Sequence, residues 1–505
     1  MRARSLVREL ALPVLLAAAA TAAAQDAAEE RLFAETLQAN RYGLSLEAGK
    51  LAGSGAAFLV AEGGKAQFVA IGEEHNVAEI PRLTAALFVE LHANSGYDYF
   101  ADEQDVWMCS EISKPPFLGR EQEIRRLRAR YRNAFTFEGD EEVAMLADVG
   151  RTSSGKAERI WGLDQVFGAL HVLERLDAIA ADEAVRRRIH ALIDFARPYE
   201  SGRFLPGKRL MSEVPELPED LTSISKWYRS RAADSTEGAF LAGQLDKSLR
   251  IYANWRHAAI EKQPTGYESN REREENMKDL FLRRYREAER LDARKPKVVL
   301  KFGHWHLYRG QSPGSVFTLG NFVSDFAKAN GSSSFAVAIY LDDGPGSKRD
   351  LGKWAPWAKP LIEAELPDGS TVFDLRPLRP DAHAKRLGAV PPELWRLLFG
   401  FDALIILKGA HPADGMGSGL HLTLCDFRQC HSGPANFRIV YNIDLTPRRH
   451  PGPRSSRAAR SPEARAPATV PLWSGSVASP AKKRVPAIGR DRARWAETPP
   501  TPVKL

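Results

Sequence analysis

The sequence predicts an α/β fold in which a mostly parallel sheet is flanked by helices and carries a large helical insertion. Short apolar runs of strand length alternate with helical patterns between residues 30 and 410, as in α/β domains. Residues 166–290 have a mostly helical pattern with a Pro-rich break near 205–218. Residues 446–505 contain 11 prolines and few apolar clusters, so a disordered tail is predicted within 411–505.

The predicted sheet is built from six short apolar segments, each bounded by a helical or turn-forming stretch. These segments are 68–72, 97–104, 158–165, 297–303, 333–341 and 401–408. A helix is predicted at 80–94, where Leu83, Leu87 and Leu91 recur at helical spacing. With 44% apolar and 27% charged residues in 505, the chain has the composition of a globular domain with its own core.

The N-terminus predicts a secretory signal peptide over residues 1–24. Three arginines within the first eight residues precede a short apolar stretch, and three alanines precede Gln25. An N-terminal membrane anchor is the alternative. No other apolar run reaches 18 residues, so no transmembrane segment is expected in the mature chain. The expected location is therefore the periplasm or the exterior. Such a compartment permits disulfides, and Cys425 and Cys430 in "CDFRQCH" allow either a local disulfide or a metal site.

The net charge of +7 is concentrated in the predicted tail. Residues 446–505 carry 13 Lys/Arg against 3 Asp/Glu, and residues 1–24 add a net +2, which leaves about −5 on residues 25–445. The folded part therefore does not have the charge of a nucleic-acid-binding domain. The tail is either a basic arm that contacts an anionic surface or an extension without a role.

Polar side chains, most of them ionisable, follow several of the predicted strands at the point where each strand ends. Glu73, Glu74 and His75 come directly after the first strand. Three further pairs stand at such ends: Asp102 and Glu103, Asp164 and Gln165, and His304 and His306. Because ligands of open α/β sheets bind beyond the carboxyl ends of the strands, these groups are expected at one rim if the strands are neighbours.

This combination of residue types suits two chemistries. A histidine beside carboxylates acts as a general base on water, and the same groups are ligands for a catalytic divalent metal. The spacing alone does not separate the two. Glu74 has the alternative of a solvated loop residue, and Asp164 that of a cap for a helix beginning near Val166. One of His304 and His306 is expected to point away from the other.

A helical stretch at 267–291 contributes one further candidate. Arg273 and Met277 are four residues apart and share a helix face. An arginine that reaches the rim would suit a carboxylate, a phosphate or a developing oxyanion.

Five motifs occur along the chain in this order: "GEEH", "DYFADEQ", "WGLDQ", "REENM" and "KFGHWHLYRG". Together they resemble the erythromycin-esterase-like family, over roughly residues 60–410. That family belongs to a superfamily with the Tiki proteases, the TraB/pheromone-shutdown proteins and the ChaN-type haem-binding uptake proteins. The resemblance implies a catalytic core of Glu73, His75 and Glu103.

The remaining family motifs also find counterparts in this sequence. The resemblance places the helix motif on Arg273, Glu274 and Met277, and the late histidine motif on His306. The sequence departs from the esterase pattern at two points. One residue separates Glu73 from His75 where the esterases have two, which is closer to the haem-uptake branch. Gly303 stands where the first late histidine would fall.

The leading hypothesis is an exported hydrolase that activates water to cleave an ester, lactone or amide bond of a small molecule. His75 takes the proton from water, Glu73 or Glu103 orients His75, and His306 or Arg273 stabilises the oxyanion. The expected substrate-binding residues are His304, Asp164 and Glu274.

Three alternatives remain open. The first is a ChaN-type binding protein for haem or another ligand. The second is a metal-dependent Tiki-like peptidase, with Glu73, His75, Glu103 and His306 as the metal candidates. The third is a serine hydrolase, since "GQSPG" at 310–314 matches Gly-x-Ser-x-Gly. In that match Pro313 lacks the N–H group that normally helps to bind the oxyanion.

Overall fold

The computed structural model describes residues 24–153, 158–200, 210–214, 216–231 and 236–414. The predicted signal peptide, except its last residue, and most of the predicted tail with Cys425 and Cys430 lie outside these residues.

The described chain forms a nine-stranded, mostly parallel sheet. Its strands are β1 Arg41–Glu47, β2 Lys50–Ala52, β3 Phe68–Glu73, β4 Tyr99–Asp105, β5 Ile160–Asp164, β6 Val298–Gly303, β7 Ser334–Leu341, β8 Ser370–Asp374 and β9 Ala403–Leu407. Their order across the sheet is β2-β1-β8-β9-β7-β3-β6-β4-β5. The six predicted strands are confirmed as β3, β4, β5, β6, β7 and β9, and they pair in parallel.

The three strands that the sequence pattern missed form the antiparallel part of the sheet. Strands β1 and β2 are partly exposed, so they lack the continuous apolar run of a buried strand. Strand β8 is buried, but its sequence STVFD is short and largely polar.

Helices cover the sheet and fill the long connection between β5 and β6. They are α1 at 24–39, α2 Ser54–Lys65, α3 Glu79–Ser95, α4 Val106–Ile112, α5 Glu121–Arg130, α6 Asp140–Thr152, α7 Leu170–Ile179, α8 Glu183–Glu200, α9 Leu210–Glu213, α10 Glu219–Thr222, α11 Ile224–Arg231, α12 Thr236–Ala259, α13 Gly266–Asp292, α14 Leu319–Ala329, α15 Leu351–Trp354, α16 Lys359–Glu363, α17 Arg379–His383 and α18 Pro392–Gly400. The predicted helix at 80–94 and the mostly helical insertion are thus confirmed. None of the described helices combines the length and apolarity needed to span a bilayer.

The order of the strands positions a crevice at the end of β3. From β3 the chain runs to β4 and β5 at one edge, returns to β6 beside β3, and then crosses to β7 on the other side. The connections therefore diverge around β3 and β6, which is where α/β sheets bind ligands. All six residues of β3 are buried, and its last residue, Glu73, is in register with Gly303 of β6.

Candidate functional site

The candidate site is assembled from the carboxyl ends of four neighbouring elements. Strand β3 ends at Glu73, and His75 follows two residues later. Strand β4 supplies Glu103 and β5 supplies Asp164. A short 3₁₀ turn, His304–His306, follows β6. Helix α13 adds Arg273 and Glu274 above the strand ends.

His75 and Glu73 form a dyad at the end of β3. Nδ1 of His75 lies 3.1 Å from Oε1 of Glu73, and the imidazole stacks on Phe137 with 4.2 Å between ring centroids. Nε2 of His75 is 3.9 Å from Oε2 of Glu103. Glu73 is buried, whereas the His75 side chain is 21% exposed. The Glu73 carboxylate thus fixes Nδ1, while Nε2 faces Glu103.

Glu103 is the central anion of the site. Its Oε1 accepts a hydrogen bond from Arg273 Nη2 (2.7 Å), and its Oε2 accepts one from the Gly303 backbone N–H (2.6 Å). Burial favours the neutral acid, but the charges of His306, His75 and Arg273 outweigh burial and hold the pKa of Glu103 well below its usual range. Glu103 is therefore a carboxylate.

Arg273 links the ends of β4 and β5. Its Nε and Nη2 donate to the two carboxylate oxygens of Asp164 at 3.0 and 2.7 Å, a two-point contact that fixes the guanidinium plane. Met277, on the same helix face, is buried in the core. Arg273 therefore reaches the rim and contacts carboxylates there.

The alternative interpretation of Asp164 as the cap of a helix near Val166 is wrong. The next helix, α7, begins at Leu170. Its first amide groups, those of Ala169 and Leu170, donate to the carboxylate of Glu200 at 2.7 and 2.9 Å.

His306 provides a second cation at the rim. Its Nδ1 lies 2.6 Å from Oε1 of Glu274, and its Nε2 lies 3.4 Å from Oε1 of Glu103. Burial opposes protonation and so does Arg273, whose Nη1 is 3.1 Å from Nε2. Glu103 and Glu274 overcome both effects and raise the pKa of His306 to about 10. Glu274 is itself held by the backbone N–H of Leu319 (2.7 Å).

His304 points away from His306, as expected for one of the two. It is buried, its Nδ1 lies 3.2 Å from the backbone oxygen of Glu73, and its ring packs beside Tyr340 and Tyr308. Burial lowers the pKa of His304 to about 4, so the ring is neutral. The structure places His304 in the wall behind the site, and its contact with substrate stays a prediction.

Glu74 is not the solvated loop residue that the sequence suggested. Within the described part of the chain, its Oε1 is buried without a hydrogen-bond partner. Burial raises the pKa of Glu74 to about 8, against the opposing effects of the Leu341 backbone and Arg349. The β3–α3 turn folds this side chain toward β7, away from His75.

Sequence reasoning missed Lys301, which lies beneath the dyad in the middle of β6. Its side chain is fully buried, and its Nζ donates to Glu73 Oε1 (2.8 Å) and Glu142 Oε1 (3.0 Å). Oδ1 of Asp102 is 3.6 Å away. A lysine inside the apolar strand VVLKFG was the available signal, because a lysine is almost never fully buried unless it is paired.

The open face of the site is formed by nitrogen-containing side chains. His75, Arg273 and His306 expose 21%, 24% and 16% of their side chains, whereas Glu73 and Glu103 are buried beneath them. Carboxylates below and cations above create a surface that suits developing negative charge on a bound molecule.

The donor atoms do not fit a divalent metal. Among residues 24–153, 158–200, 210–214, 216–231 and 236–414, no three His, Cys, Asp or Glu side chains converge in a way that could hold one. The physical reason is that cations and a backbone N–H group of the protein already occupy the carboxylates. Arg273 and the Gly303 amide take both oxygens of Glu103, and Lys301 contacts Glu73.

Residues 411–414, which the sequence assigned to the tail, border the site. Ala78 N–H donates to the His411 backbone oxygen, and Ala413 N–H donates to Asn76 O at 3.0 Å. On the other side Asp414 N–H donates to Oε2 of Glu141 (2.9 Å). The segment therefore joins the β3–α3 turn to the start of α6.

A groove of about 800 Å³ lies outside the site, on helices α4, α5, α7 and α8. Trp107, Tyr131 and His171 line it, and Nε2 of His171 is 3.1 Å from buried Asp105. None of the predicted site residues contributes to its lining.

No protein-family model and no curated protein matches this sequence. A Bacillus cereus protein of known structure is 14% identical, with a TM-score of 0.47 over 76% of this chain and 98% of its own. A mutant of the erythromycin esterase EreC in its open conformation is 16% identical, with a TM-score of 0.45 over 71% of this chain and 94% of its own.

The haem-binding protein ChaN of Campylobacter jejuni is 12% identical, with a TM-score of 0.27 over 73% of this chain and 98% of its own. The esterase and the haem-binding protein represent two of the groups that the sequence motifs resemble.

Proposed function

We propose that this protein is a hydrolase that uses His75 and Glu73 to activate water and cleave an ester, lactone or amide bond of a small molecule. One observation carries the proposal. A buried carboxylate holds Nδ1 of His75 at 3.1 Å, the imidazole is partly exposed, and Glu103, 3.9 Å from its Nε2, also contacts the cations Arg273 and His306. This is a general base next to a site for an oxyanion.

The reaction begins with water at Nε2 of His75. This nitrogen takes a proton from the water as the water oxygen attacks the carbonyl carbon of the substrate. Glu73 at Nδ1 and Glu103, 3.9 Å from Nε2, stabilise the imidazolium that forms. His75 then returns the proton to the leaving oxygen or nitrogen as the bond to the carbonyl carbon breaks.

Arg273 and protonated His306 stabilise the negative charge that develops on the carbonyl oxygen. Asp164 fixes Arg273 through two hydrogen bonds, and Glu274 fixes His306 through Nδ1. Because these partners are buried and already in place, little reorganisation is needed as the charge forms.

The test is hydrolysis by the purified full chain of a panel of aryl esters, lactones and amides. His75→Ala is expected to lower kcat by about 10²- to 10⁴-fold, the contribution of a general base. His383→Ala, at an exposed position at the end of α17, is the matched control and should retain activity. Full activity of His75→Ala on a substrate that the wild type cleaves would refute the proposal.

Two additional measurements separate the alternatives. Activity that survives treatment with a chelator agrees with metal-free chemistry, whereas loss and recovery with a divalent ion would favour the Tiki-like peptidase. A Soret band on titration with haem, without turnover of any panel substrate, would favour a ChaN-type binding protein.

We also infer export from the signal-peptide pattern of residues 1–24. The mature chain is then expected to begin at Gln25 and to be recovered from the periplasm or the medium. N-terminal sequencing of the exported protein tests this, and a chain that still begins at Met1 would contradict it.

A further inference from the structure

Lys301 lies at the centre of a buried charge cluster that the proposed reaction does not use directly. It stands on β6, in register with Ile71 of β3 and Asp102 of β4, and its side chain is 0% exposed. A buried ammonium is costly unless carboxylates surround it. Here Glu73, Glu142 and Asp102 do so at 2.8, 3.0 and 3.6 Å.

Oε1 of Glu73 joins this cluster to the exposed dyad. The same oxygen accepts from Lys301 Nζ at 2.8 Å and faces His75 Nδ1 at 3.1 Å. Two contacts at one oxygen fix both the position of the carboxylate and the direction of its lone pairs. The ring of Phe137 is near both groups: it stacks on His75, and its centre lies 5.5 Å from Lys301 Nζ.

We propose that Lys301 is a positioning residue that keeps Glu73 charged and directed at His75, so that Nδ1 of His75 carries the proton and Nε2 remains free to accept one from water. This inference rests on the proposed function, in which His75 is the base. Lys301 itself does not contact the reacting atoms.

The distribution of charge among the surrounding acids agrees with this role. Burial raises the pKa of Asp102 well above its usual range, and Glu142 and Glu73 raise it further against the opposing effect of Lys301. The pKa of Glu142 is also raised by burial. For Glu73, Lys301 and His75 outweigh burial and the pKa is lowered. Glu73 therefore carries the charge that the dyad needs, while Asp102 holds a proton.

The remaining groups around Lys301 do not replace it. Besides the three acids, it faces the Phe137 ring, and Nε2 of the Gln104 amide lies 3.5 Å from Glu142 Oε1. Neither group is a cation. Without Lys301, the buried acids Glu73, Asp102 and Glu142 lose the cation that they share, and among the described residues His75 is the remaining basic side chain within hydrogen-bond distance of the Glu73 carboxylate.

The test compares Lys301→Met with Lys297→Met in the full chain. Lys297 precedes the same strand, with its Nζ on the Gly64 backbone oxygen at 2.9 Å, at the end of β6 far from the dyad. NMR titration of the His75 ring gives its pKa without any substrate. In Lys301→Met, Glu73 is expected to become neutral, so the His75 pKa falls by about one unit or more. Lys297→Met should leave the His75 titration unchanged.

Activity supplies the second readout. Loss of orientation at the base is expected to lower kcat by about 10²-fold, with KM changed less than twofold because Lys301 does not contact substrate. An unchanged or raised His75 pKa in folded Lys301→Met would overturn the inference. If the wild type hydrolyses no substrate of the panel while the His75 pKa shifts as expected in Lys301→Met, the proposed function is wrong and the link from Lys301 to His75 stands.

A second variant guards against misfolding of Lys301→Met. Combining Lys301→Met with Asp102→Asn and Glu142→Gln replaces the two other acids by amides and leaves Glu73 as the acid of the cluster. The loss in kcat is expected to persist in this folded variant, because Lys301 is still missing. Recovery of wild-type kcat and of the wild-type His75 titration would show that Lys301 only balances charge, which contradicts a positioning role.

Discussion

Gly303→Ala is expected to separate activity from stability at this site. Gly303 ends β6 with φ −51°, a backbone conformation that alanine adopts without strain. A Cβ atom there would lie 2.7 Å from His75 Nε2, 2.8 Å from His75 Cε1 and 3.3 Å from Glu103 Oε2. Since an ordinary contact begins near 3.4 Å, the imidazole must move by about 0.7 Å, the difference between 3.4 and 2.7 Å.

This movement of the His75 ring is expected to lower the reaction rate and to have little effect on stability. The displaced atoms are at the end of a partly exposed side chain, so the ring can shift without moving the backbone. The free energy of unfolding is expected to change by less than about 1 kcal/mol. A misplacement approaching 1 Å at a reacting group costs about 10²-fold in rate, so kcat should fall about 30- to 100-fold.

The assay pairs kcat for panel hydrolysis with urea unfolding. Gly266→Ala is the matched control, because its Cβ would meet Ala258 Cβ at an ordinary 3.5 Å, and it should leave both quantities unchanged. Wild-type kcat in Gly303→Ala would refute the reasoning, since Nε2 of His75 would then not need the position that the structure gives it.

Three further predictions concern Arg273, Glu74 and Ser312. Arg273→Met leaves Glu103 and Asp164 buried without their cation, so urea unfolding should show a loss of about 3–5 kcal/mol; unchanged stability would contradict the pairing. Because the folded pKa of Glu74 (about 8) exceeds its ordinary 4.5, the folded state retains a proton that the unfolded state has lost, and stability falls as pH rises through this window. Glu74→Gln should therefore give a smaller decrease in Tm between pH 5 and 8, and an identical decrease would count against the buried carboxyl. Ser312 is buried in a turn in which its Oγ accepts from Gly314 N–H at 3.2 Å, so Ser312→Ala should retain activity within about twofold. Labelling of wild-type Ser312 by a fluorophosphonate would revive the serine-hydrolase alternative.

The sequence was most informative where burial is complete on both faces of a strand. Strands such as β3 and β6 read as continuous apolar runs because helices cover both sides of the sheet. Strands β1, β2 and β8 were missed because they are short, polar or partly exposed, and the pairing of β8 with β1 and β9 joins segments distant in sequence.

The positions of the charged site residues were predictable, but their contacts were not. Strand ends and parallel pairing brought Glu73, Glu103 and Asp164 to one rim, as expected. That Arg273 bridges Glu103 and Asp164, with its Nη2 2.7 Å from an oxygen of each, depends on how α13 packs over the strand ends. The sequence pattern does not contain that packing.

The contact between Lys301 and Glu142 is a second example of a contact that the sequence pattern does not predict. Glu142 lies in the first turn of α6 and is 159 residues from Lys301 in sequence. Their 3.0 Å contact exists because α6 packs on α3, the helix that follows β3. A lysine inside an apolar strand predicts a buried carboxylate partner, but the sequence pattern does not identify which acidic residue is that partner.

The most direct test of the central claim is a double-mutant cycle on the dyad, using kcat for a substrate that the wild type hydrolyses. If Glu73 acts only through His75, then Glu73→Gln slows the reaction, but Glu73→Gln combined with His75→Ala is no slower than His75→Ala alone. Circular dichroism of each variant confirms that it is folded. Losses that multiply in the double variant would mean that the two residues act independently, which contradicts water activation by a His75–Glu73 unit.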